Sequence, residues 1–305
     1  MFMYSTFRMR VLIYGGRGWI GSQVIGLLKE SNHEVILGTS RVDDRHGVLT
    51  ELQTVQPTHV MSFIGRTHGV IDGKPYTTID YLEQDGKVRE NVRDNLFGPM
   101  VLALLCKEND IHFTYLGTGC IFEFDESHPY GSEDREHGFT ETDVPNFFGS
   151  SYSVVKGFTD QLMHMFEDSV LNVRIRMPIT SDNSKRNFIT KITTYEKICS
   201  VPNSMTVLPE LLPVMIDMAE HKRCGTINLT NPGLITHNEI LEMYREIVDP
   251  DFEWKNFTIE EQAQILAAGR SNNFLVTDKL ESLYPDVKNI KESVRDVLHN
   301  MKRNE

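Results

Sequence analysis

Through the first 120 residues, short apolar runs alternate with longer stretches in which apolar positions recur every three or four residues. Strands joined by helices produce that alternation. Residues 10–14 (RVLIY) form an apolar run of the kind that a parallel strand buried on both faces requires. An amphipathic helix follows to about Glu30, then HEVILG as the second strand. Asp43 to Gln56 reads as a helix, Thr58 to Ile64 as the third strand, and Gly65 to Gly86 as a loop. Residues 87–108 form another helix with Asn95 near its middle. IHFTYL is the next buried strand; it breaks at Gly117 and delivers Thr118 and Cys120 just past its carboxyl end. The order predicts an α/β fold with a doubly wound parallel sheet.

Beyond Phe122 the rhythm changes. Glu123 to Gly149 is a long polar loop, read as a substrate-side flap because such loops in compact domains are usually functional. SSYSVVKGFTDQLMHMF is a helix and LNVRIRMPI a strand. Residues 187–197 are expected to be helical, 205–208 a short strand, 211–222 a helix, and TINLT a strand. Two capping boxes, Thr236-x-x-Glu239 and Thr258-x-x-Glu261, open later helices, and Arg270 falls in a polar turn before the terminal helices. Residues 10–180 are expected to form a dinucleotide-binding domain and 181–300 mainly a smaller substrate lobe interwoven with it.

Composition narrows the classes. A length of 305 residues, 40% apolar and 24% charged, suits an enzyme-sized globular protein. The net charge of −12 argues against general nucleic-acid binding, while leaving room for a nucleotide ligand. No apolar run approaches the roughly 20 residues that a membrane span needs, so no membrane partner is expected. The start, MFMYSTFRMR, lacks the features of a signal peptide and reads as a short disordered lead-in. Cys106, Cys120, Cys199 and Cys224 form no CxxC pair, which suits a reducing compartment and a cytoplasmic location. His68, His112, His128 and His137 show no metal-ligand spacing, and no metal is expected.

The first βα turn carries the clearest chemistry. In GGRGWIG, Gly15, Gly18 and Gly21 give GxxGxxG, and Gly16, Gly18 and Gly21 give GxGxxG, around Arg17, Trp19 and Ile20. Set between a strand and a helix, this is a Rossmann dinucleotide fingerprint, with the pyrophosphate at the helix N-terminus. The second strand ends in Thr39-Ser40-Arg41, where an NAD site would usually place a carboxylate for the ribose. A hydroxyl at Ser40 and a guanidinium at Arg41, helped by Arg17, suit a 2′-phosphate, so the expected cofactor is NADPH/NADP. Ile64 and Gly65, ending the third strand, are expected to wall the nicotinamide.

Thr118 and Cys120 would face a ligand, since ligands sit outside the carboxyl ends of parallel strands. Taken alone, Cys120 reads equally well as a small buried hydrophobe. Tyr152 and Lys156 lie at i and i+4, on one helix face. A phenol of pKa about 10 is a poor proton carrier at neutral pH. A neighbouring ammonium favours the phenolate and can also bond a nicotinamide ribose, and hydride transfer to a ketone needs such a proton donor.

The glycine turn, Thr118 and Tyr152-x-x-x-Lys156 together resemble the extended short-chain dehydrogenase/reductase family. Longer strings, among them GRGWIG, TGCIFEFD, HPYGS, RNFITKITTYEK, PNSMTVLPELLP and RSNN, are similar to the plant epimerase/reductase family of UDP-rhamnose synthesis, from about Arg10 to Val297. The chain departs from the plant pattern in a longer loop at Glu133 to His137 and in SFIGRTHG at 62–69, near Arg66 and Thr67.

The resemblance implies a bifunctional 3,5-epimerase/4-reductase that converts UDP-4-keto-6-deoxy-glucose to UDP-L-rhamnose with NADPH. It implies Cys120 and Lys191 as a base and acid on opposite faces of the sugar, and Arg270 on the diphosphate. Asn187 would meet the same phosphate, and Thr206 would lie near the base. Thr118 and Tyr152 would hold the ketone oxygen in both steps. The UDP-sugar substrate would come from a separate 4,6-dehydratase, and a homodimer is among the assemblies the family admits. Two other readings stay open: a 4-reductase alone on a nucleotide 4-keto-6-deoxy sugar, and a non-catalytic NADPH-binding regulatory subunit.

Overall fold

Strand β1 (Arg10–Tyr14) lies one in from the sheet edge, with β2 (Glu34–Leu37), the edge strand, parallel on one side and β3 (His59–Ser62) parallel on the other. The structure is a computed structural model that describes residues 8–303; of the lead-in expected over residues 1–10, residues 1–7 lie outside that range, while Met9 is fully buried and Arg10 opens β1. The helix α1 (Trp19–Glu30) joins β1 to β2, and α2 (Arg45–Val55) joins β2 to β3. Because the chain leaves β1 first to one side and then to the other, the carboxyl end of β1 is a topological switch point.

The stretch from Gly65 to Gly86 is more than a loop. It holds a hairpin, β4 (Gly69–Ile71) and β5 (Lys74–Tyr76), and a 3-10 turn at Ile79–Glu83. The hairpin turns at Asp72 and Gly73, both at positive φ (49° and 79°), the pairing that a two-residue hairpin turn favours. The expected long helix is three pieces: α3 (Val88–Val92), a π-helical turn (Arg93–Phe97) and α4 (Gly98–Glu108). Pro99 has no N–H for the Asn95 carbonyl four residues back, and that carbonyl accepts the Thr159 hydroxyl at 2.6 Å instead.

Next along the chain come β6 (His112–Thr118), α5 (Ser151–Met163), β7 (Val170–Ile175), β8 (Pro178–Ile179) and α6 (Phe188–Ile192). They are followed by β9 (Thr206–Val207), α7 (Leu208–Glu220), β10 (Gly225–Asn228) and α8 (His237–Ile247). The chain ends with α9 (Ile259–Ala263), α10 (Asp278–Leu283) and α11 (Ile290–Arg303). The six-stranded sheet has the order β10-β7-β6-β3-β1-β2. Strand β6 runs through Gly117 instead of breaking there, and the glycine serves close packing: a Cβ at that position would come within 2.7 Å of Asn172 Oδ1.

Other boundaries also moved. The strand expected over 171–179 splits into β7 and β8 around Arg176 and Met177, the latter at φ +38°. Helix α6 stops at Ile192 because the Thr193 and Thr194 hydroxyls turn back onto carbonyls of residues 189–191. Both capping boxes are present, at Thr236/Glu239 and Thr258/Glu261.

Two compact units divide the chain, and they interleave. The first contains the residues up to Gly117, Val154–Val173 and Leu212–Ile227; the second contains Thr118–Ser153, Arg174–Leu211 and the chain from Asn228 onward. The first unit is built on the sheet, with a core that includes Leu12, Val60, Leu102, Phe113 and Met163. The second has its own core, including Ile189, Val207, Leu241, Val294 and Leu298.

Candidate active site

In the first unit the glycine turn is shaped by missing atoms. Gly15 sits at φ +76°, and a Cβ there would lie 2.7 Å from the Phe63 carbonyl carbon. A Cβ on Gly21 would lie 2.5 Å from Gly15 O, and Gly18 N donates to that same oxygen at 3.0 Å. Gly18 caps α1 without a side chain, and the first turn of the helix, Trp19 and Ile20 included, carries no acidic residue. Backbone N–H groups presented in this way suit a pyrophosphate. Arg17 is exposed beside them. The turn therefore fits NADPH.

The end of β2 holds a group that the sequence did not reveal. Glu51, on α2, accepts Thr39 N and Thr39 Oγ1 at 2.7 Å each, Ser40 N at 3.1 Å and the Tyr14 hydroxyl at 2.8 Å. Burial alone would push its carboxyl up; the bonds from Thr39, Tyr14 and Ser40 outweigh that and hold it below its ordinary range. A carboxylate does reach the strand end, delivered from the following helix. Arg41 is paired with Asp43 at 2.9 Å, and Ser40 is partly buried.

Ile64 and Gly65 continue from β3 into a segment held by Asn95. Asn95 accepts Arg66 N at 3.0 Å and donates to Arg66 O at 2.9 Å. Buried Lys156 donates to the Tyr115 hydroxyl and lies 4.5 Å from the centre of that ring.

In the second unit Thr118, Cys120 and Tyr152 come together. Thr118 Oγ1 accepts Cys120 N at 3.0 Å, donates to Ile175 O at 3.4 Å, and is hydrogen-bonded to the Tyr152 hydroxyl. Burial pushes the Tyr152 phenol up, the adjacent Cys120 sulfur adds to the rise, and Thr118 offsets part of it. This corrects the expected drift toward phenolate: the hydroxyl end is enclosed, and the low dielectric favours the neutral form. The segment 270–273 (RSNN) clamps the turn that follows. Asn273 Nδ2 donates to Gly119 O and Phe122 O at 2.9 Å each, and Ser271 Oγ donates to Phe122 O at 2.6 Å.

Arg176 is the largest omission of the sequence reading. It is 1% exposed, with Nη2 donating to Ser271 O at 2.8 Å and Nη1 to Asn273 O at 3.4 Å. Burial pulls its guanidinium down, and the Cys120 sulfur beside it pulls the other way. The available signal was an arginine inside a strand pattern, VLNVRIRMPI, that otherwise reads as buried.

Lys191, on α6, is partly buried; burial and then the charges of Arg186 and Arg270 pull its amine down. Arg186 is the cation of this group that was not foreseen. Arg270 Nη1 donates to Ala268 O at 2.7 Å.

Two expected substrate contacts are structural instead. Asn187 is fully buried and caps α6: its Oδ1 accepts Ile189 N and Thr180 N, and its Nδ2 donates to Thr180 O and Asp182 O. Thr206 is fully buried, its hydroxyl accepting Arg176 N at 3.0 Å and donating to Leu229 O at 2.8 Å. Neither side chain has a group left for a ligand.

Among the described residues no cluster of three or more His, Cys, Asp or Glu side chains is placed to hold a metal ion. No helix there is long and apolar enough to cross a membrane.

Residues 9–141 match the RmlD substrate binding domain family. The crystal structure of the L780 UDP-rhamnose synthase from Acanthamoeba polyphaga mimivirus is 57% identical, with a TM-score of 0.92 over 97% of this chain and 100% of that one. An Arabidopsis thaliana bifunctional dTDP-4-dehydrorhamnose 3,5-epimerase/dTDP-4-dehydrorhamnose reductase is 45% identical over 95% of this chain and 92% of its own length. An Arabidopsis trifunctional UDP-glucose 4,6-dehydratase/UDP-4-keto-6-deoxy-D-glucose 3,5-epimerase/UDP-4-keto-L-rhamnose-reductase is 44% identical over 94% of this chain, which spans 41% of that longer enzyme.

Proposed function

Since this chain belongs to the epimerase/reductase family of rhamnose synthesis, we propose that it converts UDP-4-keto-6-deoxy-glucose to UDP-L-rhamnose. The observation that carries the reading is the cluster of Thr118, Cys120 and Tyr152, a hydrogen-bonding cradle for a carbonyl with a thiol beside it.

A ketone at C4 acidifies the hydrogens on C3 and C5. With its oxygen held by Tyr152 and Thr118, electrons from a broken C–H bond move onto that oxygen and form an enolate. The long 3.4 Å bond from Thr118 to Ile175 O is the one that Thr118 exchanges for the ketone. Cys120 and Lys191 carry protons to and from C3 and C5 on opposite faces of the ring. A diphosphate meeting Arg186 and Arg270 cancels charge that disfavours the Lys191 ammonium, so substrate binding prepares that residue to give a proton.

Bound NADPH supplies the hydride for C4. Tyr152 then gives its proton to the C4 oxygen, and its enclosed, neutral phenol suits both steps: it donates a hydrogen bond to the enolate and a proton to the alkoxide. Lys156 fixes Tyr115 on β6 and is proposed to orient the nicotinamide ribose.

The keto group arises by 4,6-dehydration, which we assign to a separate dehydratase site. The proposed setting is the cytoplasm, where Cys120 stays reduced; retention of Cys120 as a disulfide in protein isolated from cells would contradict it.

The test is turnover of UDP-4-keto-6-deoxy-glucose with NADPH in deuterium oxide. The expected product is UDP-L-rhamnose carrying deuterium at C3 and C5. Cys120→Ser and Lys191→Met should each block exchange with NADPH binding intact. Full exchange in both variants would leave a 4-reductase, and no NADPH oxidation would leave a binding protein.

A further inference from the structure

Tyr115 is a phenol in a place that a phenylalanine ring would fill. It is 1% exposed on β6, in the core that also holds Leu12, Val60, Leu102 and Phe113, and its ring lies 6.5 Å from that of Phe113. A buried hydroxyl costs free energy unless it is hydrogen-bonded. Here it accepts from the ammonium of Lys156, which comes from α5 and is itself only 4% exposed. Both residues belong to the first unit.

A second phenol follows the same plan. Ser62 on β3 pairs in register with Tyr14 of β1 on one side and with Tyr115 of β6 on the other. The two tyrosines therefore stand in one row across three adjacent strands. Tyr14 is buried in the same core, and its hydroxyl donates to Glu51 at 2.8 Å. Glu51 in turn fixes Thr39 and Ser40, where the 2′-phosphate end of the cofactor is expected. Tyr115 meets the lysine assigned to the other end, the nicotinamide ribose. Each phenol acts from inside the core on a side chain that serves one end of the cofactor.

We infer that Tyr115 is a positioning residue for the nicotinamide half of the cofactor, acting through Lys156. A lysine has a long, flexible stem, and ordering it only when a ligand arrives weakens binding. The bond to Tyr115 orders it beforehand. An ammonium carries several N–H donors, so its contact with the phenol is compatible with donation to ribose hydroxyls. The effect of the hydroxyl is confined to the nicotinamide half and vanishes when the lysine is absent. This rests on the placement of Lys156 at the nicotinamide ribose proposed above.

Equilibrium titration tests it without turnover, using NADP+ and adenosine 2′,5′-bisphosphate, the part of the cofactor that lacks the nicotinamide ribose. Tyr115→Phe keeps the ring and removes the hydroxyl. It should weaken NADP+ binding about 5- to 20-fold, as for loss of one hydrogen bond to a charged group. The bisphosphate should bind within about twofold of wild type. Lys156→Met should weaken NADP+ at least as much, and adding Tyr115→Phe to Lys156→Met should change affinity less than about twofold. Equal weakening of both ligands by Tyr115→Phe would mean that the hydroxyl only supports the core, and would overturn the proposal. Unchanged NADP+ affinity, or effects that multiply in the double variant, would overturn it too.

If Lys156→Met alone binds NADP+ as the wild type does, the placement of Lys156 falls and this proposal with it. If the titrations come out as expected but the native protein does not turn over the UDP sugar, the proposed function is lost and Tyr115 keeps its role. Should Tyr115→Phe not fold, a crystal structure of the native protein with NADP+ decides. The Lys156 ammonium should then lie within hydrogen-bond reach of both the Tyr115 hydroxyl and the nicotinamide ribose. An ammonium swung away from Tyr115 overturns the proposal.

Discussion

The glycine turn from Gly15 to Gly21 and the cluster at the end of β6 are each proposed to receive part of a charged substrate, by opposite means. The turn works through absent atoms: a positive φ at Gly15, a 2.5 Å clearance that a Cβ on Gly21 would close, and a helix end with no side chain over it. The cluster works through side chains in one another's fields, with Tyr152 and Arg176 each shifted first by burial and then by the Cys120 sulfur beside them. The difference separates two kinds of failure. A change in the turn should alter shape, and therefore cofactor affinity. A change in the cluster should alter charge, and therefore the chemical step, with binding nearly intact.

The largest expected effect sharpens that contrast at the cluster. Tyr152→Phe should lower ketone reduction roughly 100- to 10,000-fold, the usual range for loss of a general acid. NADPH affinity, read by fluorescence titration, should barely change. A large loss of NADPH binding in this variant would break the division.

The turn gives the next effect. Gly21→Ala should weaken NADPH binding roughly 10- to 100-fold, or about 1.4–2.8 kcal/mol, with kcat at saturating cofactor close to wild type. A lower kcat with unchanged affinity would contradict the steric account.

Glu51 tests whether charge also matters at the cofactor end. Its carboxylate holds Thr39 and Ser40 beside the expected 2′-phosphate. Glu51→Gln keeps the shape and removes the charge, and should lower KM for NADPH by roughly two- to fivefold, since exposed charge effects are small. An unchanged KM would make this region steric throughout.

The smallest effect is on stability in the first unit. His59 Nε2 and His112 Nε2 donate to the carbonyls of Ala219 and Arg223, at 3.1 and 2.8 Å. Burial first, and then His112 and Lys222, lowers His59 to about 4; burial first also lowers His112 and His33. Below pH about 6.5 the unfolded chain takes up protons that the folded chain refuses, so this stability is complete above that pH and lost as pH falls toward 4. Tm should drop on the order of 3–5 °C between pH 7 and pH 5, and His59→Gln should reduce the drop. A flat Tm would contradict the assignment.

Parts of each region were legible in the sequence for physical reasons. The glycine spacing is local, so strand, turn and helix could be read together, and Thr118, Cys120 and Tyr152 followed from their places at a strand end and in a helix. Partners chosen by tertiary structure were not legible. Glu51 meets Thr39 from twelve residues away, and Arg176 meets Ser271 from ninety-five. Asn187 and Thr206 show the converse. A polar residue in a loop or short strand can be a ligand or a fully satisfied support, and only its bonds distinguish the two. The Asp72-Gly73 hairpin was readable in principle, but its flanking residues are too polar and too few to show the alternation of a strand pair.

The central claim is that one cradle holds the ketone for both epimerisation and reduction. Thr118→Val, which keeps the shape and removes the hydroxyl, tests it most directly by measuring deuterium exchange and NADPH oxidation on the same UDP-4-keto-6-deoxy-glucose. Both rates should fall by a similar factor, roughly 10- to 1,000-fold, as for loss of one donor to a developing oxyanion, and Thr118→Ser should restore both. Exchange at the wild-type rate with reduction alone impaired would show two separate carbonyl sites and contradict the account.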